Sequence, residues 1–109
     1  MLNSINRFRA QNGIGPVEYG DNLVNHYCQL HCYEMARRGD AVHAPDHYLN
    51  GWSEAVAIMP YNEHWKDIVI FDLLGTSEGH RDILLHSNKI SYAGHINNWV
   101  VYVTIRGTN

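Results

Sequence analysis

The chain has 109 residues, which is enough for a single compact domain, 1–109, and too short for two. Its formal net charge of −3 with neutral histidines excludes a basic nucleic-acid-binding domain, and no apolar run reaches the ~18–20 residues of a membrane span. Two cysteines are too few for a disulfide scaffold. Histidine is unusually frequent, because its 8 residues equal lysine and arginine together.

The first part of the chain predicts two helices. Residues 2–12 carry apolar side chains at helical spacing and stop at Gly13. A second helix is predicted from an N-cap at Asp21 to about Arg38, with Gly39 at its C-terminal end. The stripe of this helix that we expect to face the core consists of Val24, Tyr27, Cys28, His31, Cys32 and Met35.

The middle of the chain predicts a loop, a short strand and two further helices. The loop is rich in turn-forming residues, and the strand is an apolar run that ends before Pro60. Ser77 is placed to cap the last helix with its side chain. The predicted ranges are 40–52 for the loop, 53–58 for the strand, and 62–74 and 77–86 for the helices.

The C-terminal segment predicts a β-hairpin. Apolar residues alternate on both sides of Asn97-Asn98, and asparagine tolerates the positive φ that a two-residue hairpin turn needs. This turn pairs Ile96 with Trp99 and specifies the register of the strands. Both faces of the hairpin are apolar, so helices must cover both sides. The expected fold is an α/β, three-layer α-β-α sandwich with a small antiparallel sheet and about four helices.

Two residues stand out as candidates for chemistry. Glu54 lies inside the apolar strand, where a carboxylate is costly unless it is paired. It is either an outward-facing residue of an edge strand or a carboxylate held in a cleft beside histidines. His80 lies in the first turn of the last helix, where the helix dipole favours the neutral ring that a metal ligand or general base needs. The alternative for His80 is a residue that helps to cap the helix.

Other histidines and the two cysteines carry less specific signals. His43 and His47 are four residues apart, but Pro45 lies between them and argues against a helix that would let both bind one metal. Each of them, taken alone, is expected to be a loop histidine. Cys28 and Cys32 are expected to be small buried residues of the core, because no second cysteine pair is present to complete a zinc site.

Several segments follow one another in an order that matches a known family. They are Leu2-Asn3-x-x-Asn6-x-x-Arg9-x-x-x-Gly13, Pro16-Val17-x-Tyr19, His43, Ser53-Glu54-Ala55-Val56-Ala57 and Ser77-x-Gly79-His80-Arg81-Asp82-Ile83-Leu84, before the terminal hairpin. Together they resemble the CAP superfamily, which includes cysteine-rich secretory proteins, insect venom antigens and plant pathogenesis-related proteins. The resemblance covers nearly the whole chain, and the lack of disulfides is similar to the short bacterial branch.

The resemblance implies an α/β/α sandwich, mostly secreted, with a central cleft. In the family this cleft gathers two histidines and two acidic residues, and in several members it binds zinc or another divalent metal. By motif position, His43 and His80 match the two histidines and Glu54 matches one acid. Ser77 stands where the second acid is expected, and both neighbours of Glu54 depart from the family pattern. The other candidate cleft residues are His47, Glu63, His64 and Ser77.

Three functions are compatible with these residues. The first is a non-enzymatic extracellular module that holds a divalent metal through His43, His80 and Glu54 and binds a lipid, a glycan, cell-wall material or a protein. The second is a metal-assisted hydrolase in which Glu54 is the general base, although no signature specifies a reaction. The third is a scaffold with a degenerate site. No signal peptide is visible at the N-terminus. The resemblance predicts that the chain is the mature domain of an exported protein. The alternative is a cytoplasmic protein.

Overall fold

The computed structural model describes residues 1–45 and 52–108, and in it helices pack on both faces of one sheet. The helices are α1 (Leu2–Gln11), α2 (Asn22–Arg38), α3 (Trp65–Asp67), which continues as a π-helical segment (Ile68–Leu74), and α4 (Glu78–His86). The strands are β1 (Glu18–Tyr19), β2 (Trp52–Pro60), β3 (Lys89–Asn97) and β4 (Val100–Thr108), in the sheet order β1-β3-β4-β2. The predicted α/β class is confirmed. Among these residues no helix combines the length and the apolarity that a membrane crossing requires.

The sheet separates two hydrophobic layers. On one face, α1, the π-helical segment and α4 pack against the central strands, with Ile5 and Ile70 fully buried in this layer. On the other face, α2 places Cys28 and Cys32 against Tyr102 of β4. The two apolar faces of the C-terminal hairpin are thus both covered, which confirms the expected three-layer arrangement.

Local signals determine both ends of α2. Asp21 Oδ1 accepts hydrogen bonds from the backbone N–H groups of Leu23 (2.7 Å) and Val24 (3.3 Å). Gly39 ends the helix at φ 72°, the left-handed conformation that glycine adopts without strain. Both ends agree with the prediction from the sequence. The predicted inner stripe is wrong at Tyr27, which is exposed.

The ends of α4 are held differently from the prediction. Ser77 stands at the N-cap, but its side chain makes no capping hydrogen bond, so the predicted side-chain cap is wrong. At the other end, the buried Arg9 of α1 donates to the carbonyls of Leu84 (2.8 Å) and Leu85 (3.1 Å). A cation at this end satisfies carbonyls that have no helical partner and suits the negative end of the helix dipole. Arg9 therefore fixes α4 against α1.

The C-terminal hairpin forms, but its turn lies one residue later than predicted. Asn98 and Trp99 occupy the turn with φ values of 52° and 65°. Ile96 consequently pairs with Val101 instead of Trp99. The register moves by two residues, so every side chain keeps its predicted face and the apolar alternation cannot distinguish the two registers. A contact outside the hairpin holds the observed turn, because the Trp99 carbonyl accepts a hydrogen bond from the Tyr61 N–H (2.7 Å).

Three other elements also differ from the prediction. β1 pairs in parallel with β3, so the sheet is mixed and not wholly antiparallel. β2 continues to Pro60, which is tolerated because β2 is an edge strand. The helix predicted over 62–74 begins at Trp65 and has π-helical geometry over Ile68–Leu74.

Candidate functional site

Glu54 is the centre of a buried polar network. Its carboxylate side chain has no exposed area. Oε1 accepts hydrogen bonds from His43 Nδ1 (2.9 Å) and the Ala44 N–H (2.8 Å). Oε2 accepts from Arg106 Nε (3.1 Å) and the Thr104 hydroxyl (3.3 Å). The outward-facing alternative for Glu54 is therefore wrong, and the carboxylate is satisfied inside the protein.

Strand pairing brings the two opposite charges of this network together. β2 runs antiparallel to β4, and Glu54 lies directly opposite Arg106. Glu54 shares a strand face with Val56, which packs in the α2 layer. Thr104 precedes Arg106 by two residues and lies on that same face. The network is therefore built into the α2 side of the sheet.

His43 connects the buried carboxylate to the surface. Nearly half of its side chain is exposed (49%), while Nδ1 contacts Glu54. Because a carboxylate only accepts hydrogen bonds, Nδ1 of His43 is the donor, and Glu54 fixes the orientation of the ring.

His31 positions the segment that carries His43. The ring is buried on the inner face of α2, and its Nε2 lies 2.6 Å from the carbonyl of Val42, the residue before His43. A carbonyl can only accept, so Nε2 is the protonated nitrogen of His31. This contact ties the chain that leaves α2 back onto the helix, so His31 has a structural role.

A cleft of about 410 Å³ lies beside His43 and Glu54, at the start of β2. Its remaining walls are formed by Trp52, Ser53, Gly79, Asp82 and Ile83. Positions 79, 82 and 83 fall on one side of a helix, so the first turns of α4 form the wall opposite β2. A larger depression, of about 700 Å³, extends toward Asn12 at the end of α1 and shares Gly79 and Asp82 with the cleft.

The structure brings together two of the three predicted metal ligands. His43 contacts Glu54, whereas the half-buried His80 is not among the described residues that line the cleft. Neighbouring residues of an α-helix face directions that differ by about 100°. Gly79 faces the cleft, so His80, the next residue, faces away from it. Within residues 1–45 and 52–108, no three His, Cys, Asp or Glu side chains form a group that could hold a metal ion. The described side chains thus do not fit a three-ligand site, and metal binding stays a prediction of the resemblance.

The other candidate cleft residues are not brought to this place. Glu63 and His64 are exposed, and their side chains lie 3.4 Å apart beyond the end of β2. That end is about 20 Å from Glu54, because Pro60 follows Glu54 by six positions along the strand. The structure therefore contradicts the prediction that Glu63 and His64 belong to the cleft. Ser77 is half-buried at the start of α4, and His47 lies outside the described residues.

Arg106 and Asp82 are among the site residues that reasoning from the sequence misses. Arg106 does carry a signal, because it is a charge within the apolar run of β4 just as Glu54 is a charge within β2. Two opposite charges in apolar strands of one small domain favour a buried pair. Asp82 has no such signal, since only its position on the cleft side of α4 distinguishes it from the other charges of that helix.

The cysteines lie in the α2 layer near this network. Cys28 and Cys32 are buried and free, and the Cys32 thiol donates to the Ala93 carbonyl (3.4 Å). Burial raises the pKa of each thiol to about 12. Both are therefore protonated at neutral pH, and their predicted role as small buried core residues is confirmed.

Comparisons with protein-family models and with curated proteins returned no match. Among solved structures, the chain is similar to an outer surface protein from Borrelia burgdorferi, with a TM-score of 0.69. The identity is 12%, and the likeness covers 99% of this chain and 89% of that chain. At this identity the comparison shows a shared fold, which extends over almost the full length of both chains.

Proposed function

We propose that this chain is a non-enzymatic, extracellular binding module that holds a glycan in the cleft between His43 and the first turns of α4. Two independent likenesses support an extracellular location. The structural neighbour is an outer surface protein, and the CAP resemblance implies mostly secreted roles.

The observation that carries the proposal is the complete satisfaction of Glu54 inside the protein. A general base must reach the water or substrate from which it takes a proton. Glu54 has no exposed area and accepts hydrogen bonds at both oxygens, one of them from the buried Arg106. Such a carboxylate is suited to orienting His43, which favours a binding site over a hydrolase that uses Glu54 as its base.

The lining of the cleft favours a glycan among the ligand classes. Trp52 is half-buried at the wall and offers an aromatic surface for the apolar face of a sugar ring. Ser53, His43 and Asp82 supply the hydroxyl, imidazole and carboxylate groups that pair with sugar hydroxyls. The volume falls in the range of small-molecule sites. A lipid chain would require a mostly apolar lining.

The proposal does not depend on a metal. The CAP resemblance assigns a divalent ion, zinc among the candidates, to His43, His80 and Glu54. The ligand set is incomplete among the described side chains, so the glycan proposal is tested with and without added zinc.

A glycan microarray followed by calorimetry on the positive glycans tests the proposal. We expect binding by the wild-type chain and a loss of affinity of about tenfold or more in Trp52→Ala and in Asp82→Asn. Trp99→Ala is the matched control, because Trp99 is an exposed tryptophan at the end of the sheet opposite Trp52. Its affinity should equal that of the wild type.

Three outcomes would contradict the proposal. Absence of wild-type binding would leave the chain as a scaffold with a degenerate site, and binding that is unchanged in Trp52→Ala would place the glycan outside the cleft. Cleavage of a bound glycan that is abolished in a folded Glu54→Gln variant would establish the hydrolase alternative.

A further inference from the structure

The outward face of α2 carries an apolar stripe beside the exposed ion pair of Glu34 and Arg37. Its outer stripe consists of four residues, each at least two-fifths exposed: Leu23 (58%), Tyr27 (42%), Leu30 (47%) and Tyr33 (50%). These residues recur at intervals of three and four, so they share one face of the helix over about 15 Å. The inner face of α2 is apolar as well. The outer stripe is thus a second apolar surface of the helix, and exposed apolar side chains grouped in this way are typical of an interface.

The two ends of α2 carry opposite charges. Asp21 caps the N-terminus, and the exposed last turn holds Arg38 together with Arg37, which also pairs with Glu34 of the same helix. An antiparallel pair of α2 helices places the Asp21 end of one against the Arg38 end of the other. In this arrangement the positive N-terminal end of each helix dipole also lies beside the negative C-terminal end of the other. A parallel pair would instead bring like charges and like helix ends together.

We infer that the outer stripe of α2 binds the outer stripe of a second copy of this chain, in an antiparallel arrangement with twofold symmetry. With Leu30 on the twofold axis, Tyr27 faces the partner's Tyr33 and His26 faces the partner's Glu34. Such a contact is isologous, because the same patch serves both subunits.

Two further observations favour this occupant. The Tyr33 ring packs edge-on against His95 of β3, with ring centroids 4.8 Å apart, so part of the stripe is already ordered before association. An anionic lipid surface is a poorer match, because the chain has a net charge of −3 and α2 carries arginines only in its last turn.

Sedimentation equilibrium of the full chain tests the inference. We expect a monomer–dimer equilibrium, and a rise of about 30-fold or more in the dimer Kd for Leu30→Lys, which places two like charges at the axis. Trp99→Lys is the matched control, since it changes an exposed apolar residue on the hairpin turn, and it should leave the Kd unchanged. A wild-type chain that stays monomeric up to millimolar concentration would overturn the inference, as would equal weakening by both variants.

Cross-linking tests the antiparallel register and does not rely on a disruptive substitution. In Leu30→Cys the two introduced thiols are adjacent at the axis, whereas in Leu23→Cys they are about 21 Å apart, because each lies seven residues from the axis. A short bis-maleimide should link Leu30→Cys dimers only, and the native thiols are buried. Linking of Leu23→Cys in preference to Leu30→Cys would contradict the arrangement.

Discussion

Arg106 donates its Nε–H to Glu54 Oε2 over 3.1 Å, directly across strands β4 and β2, with both side chains buried. Removing two charges from water is costly, and the attraction between them together with the surrounding hydrogen bonds offsets that cost. Loss of the Glu54 carboxylate would remove the negative charge that lies directly opposite the buried Arg106. The pair is therefore expected to contribute to folding as well as to hold His43 in place.

We expect Glu54→Gln to lower the free energy of unfolding by about 3 kcal/mol, because it removes the buried negative charge to which Arg106 and His43 donate hydrogen bonds. Urea denaturation measures this change. Glu34→Gln is the control, since Glu34 forms an exposed pair with Arg37 on α2, and it should cause no measurable loss. An equal loss of unfolding free energy in the two variants would contradict the prediction that the buried Glu54 pair stabilises the fold more than an exposed pair does.

Arg9→Met should lower the free energy of unfolding by about 2–3 kcal/mol, because it removes a charged donor from the last carbonyls of α4. The methionine keeps most of the apolar stem. Hydrogen exchange should accelerate first at the C-terminal end of α4. Arg81→Met, an exposed position on the same helix, should leave both measurements unchanged, and slow exchange in Arg9→Met would contradict the role assigned to Arg9.

The thiols of Cys28 and Cys32 should be unreactive toward Ellman's reagent at pH 8 until the protein unfolds, because burial raises the pKa of each to about 12. Folding favours the protonated thiols, so this contribution to stability is complete below the ordinary value of 9.0 and is lost as the pH rises from 9 toward 12. An Asn3→Cys variant on the exposed side of α1 should react at once. Rapid labelling of the native thiols would contradict their burial.

The Ser4 hydroxyl donates to Asp67 Oδ1 (2.6 Å), and Arg7 pairs with the same oxygen. The Ser4 hydrogen bond, and then the charge of Arg7, hold the pKa of Asp67 below its usual 3.8 against the opposing effect of desolvation. This lowered pKa stabilises the fold above about pH 4, and the stabilisation is lost as the pH falls through the folded value.

We therefore expect Ser4→Ala to raise the pKa of Asp67, measured by NMR titration of its carboxyl carbon, and to reduce the acid dependence of stability. Thr76→Ala removes a hydroxyl that is bound to the Asp72 carbonyl and should leave the Asp67 titration unchanged. An unaltered titration in Ser4→Ala would assign the shift to Arg7 alone.

Trp99→Gly should raise the free energy of unfolding by about 1 kcal/mol. Trp99 is 78% exposed and has a φ of 65°, a conformation that is costly for a residue with a side chain and free for glycine. The variant places a glycine directly after Asn98, and asparagine followed by glycine is the preferred pair for this kind of hairpin turn. Thermal unfolding measures the gain, and a lower melting temperature would show that the ring contact between Trp99 and Tyr61 outweighs the strain.

Features that depend on neighbours in the chain could be predicted from the sequence. The cap at Asp21, the end of α2 at Gly39 and the two apolar faces of the hairpin all follow from local backbone preferences and side-chain spacing. These features were sufficient to predict the three-layer fold. Glu54 could likewise be recognised as a carboxylate that needs a partner, because the strand around it is apolar.

Other features depend on contacts between residues distant in the chain, and only the tertiary structure decided them. Arg106 lies 52 positions from Glu54 and reaches it because β2 pairs with β4. The predicted hairpin turn lies one residue too early, because the predicted and the observed register differ by two residues and put the same side chains on the same faces. The hydrogen bond from the Tyr61 N–H to the Trp99 carbonyl distinguishes the two registers. The sequence by itself determined the layers and identified Glu54 as a carboxylate that is costly unless it is paired. Strand pairing and helix rotation decided that Glu54 is buried and which side chains meet at the cleft, bringing His43 to Glu54 and leaving His80 outside the cleft lining.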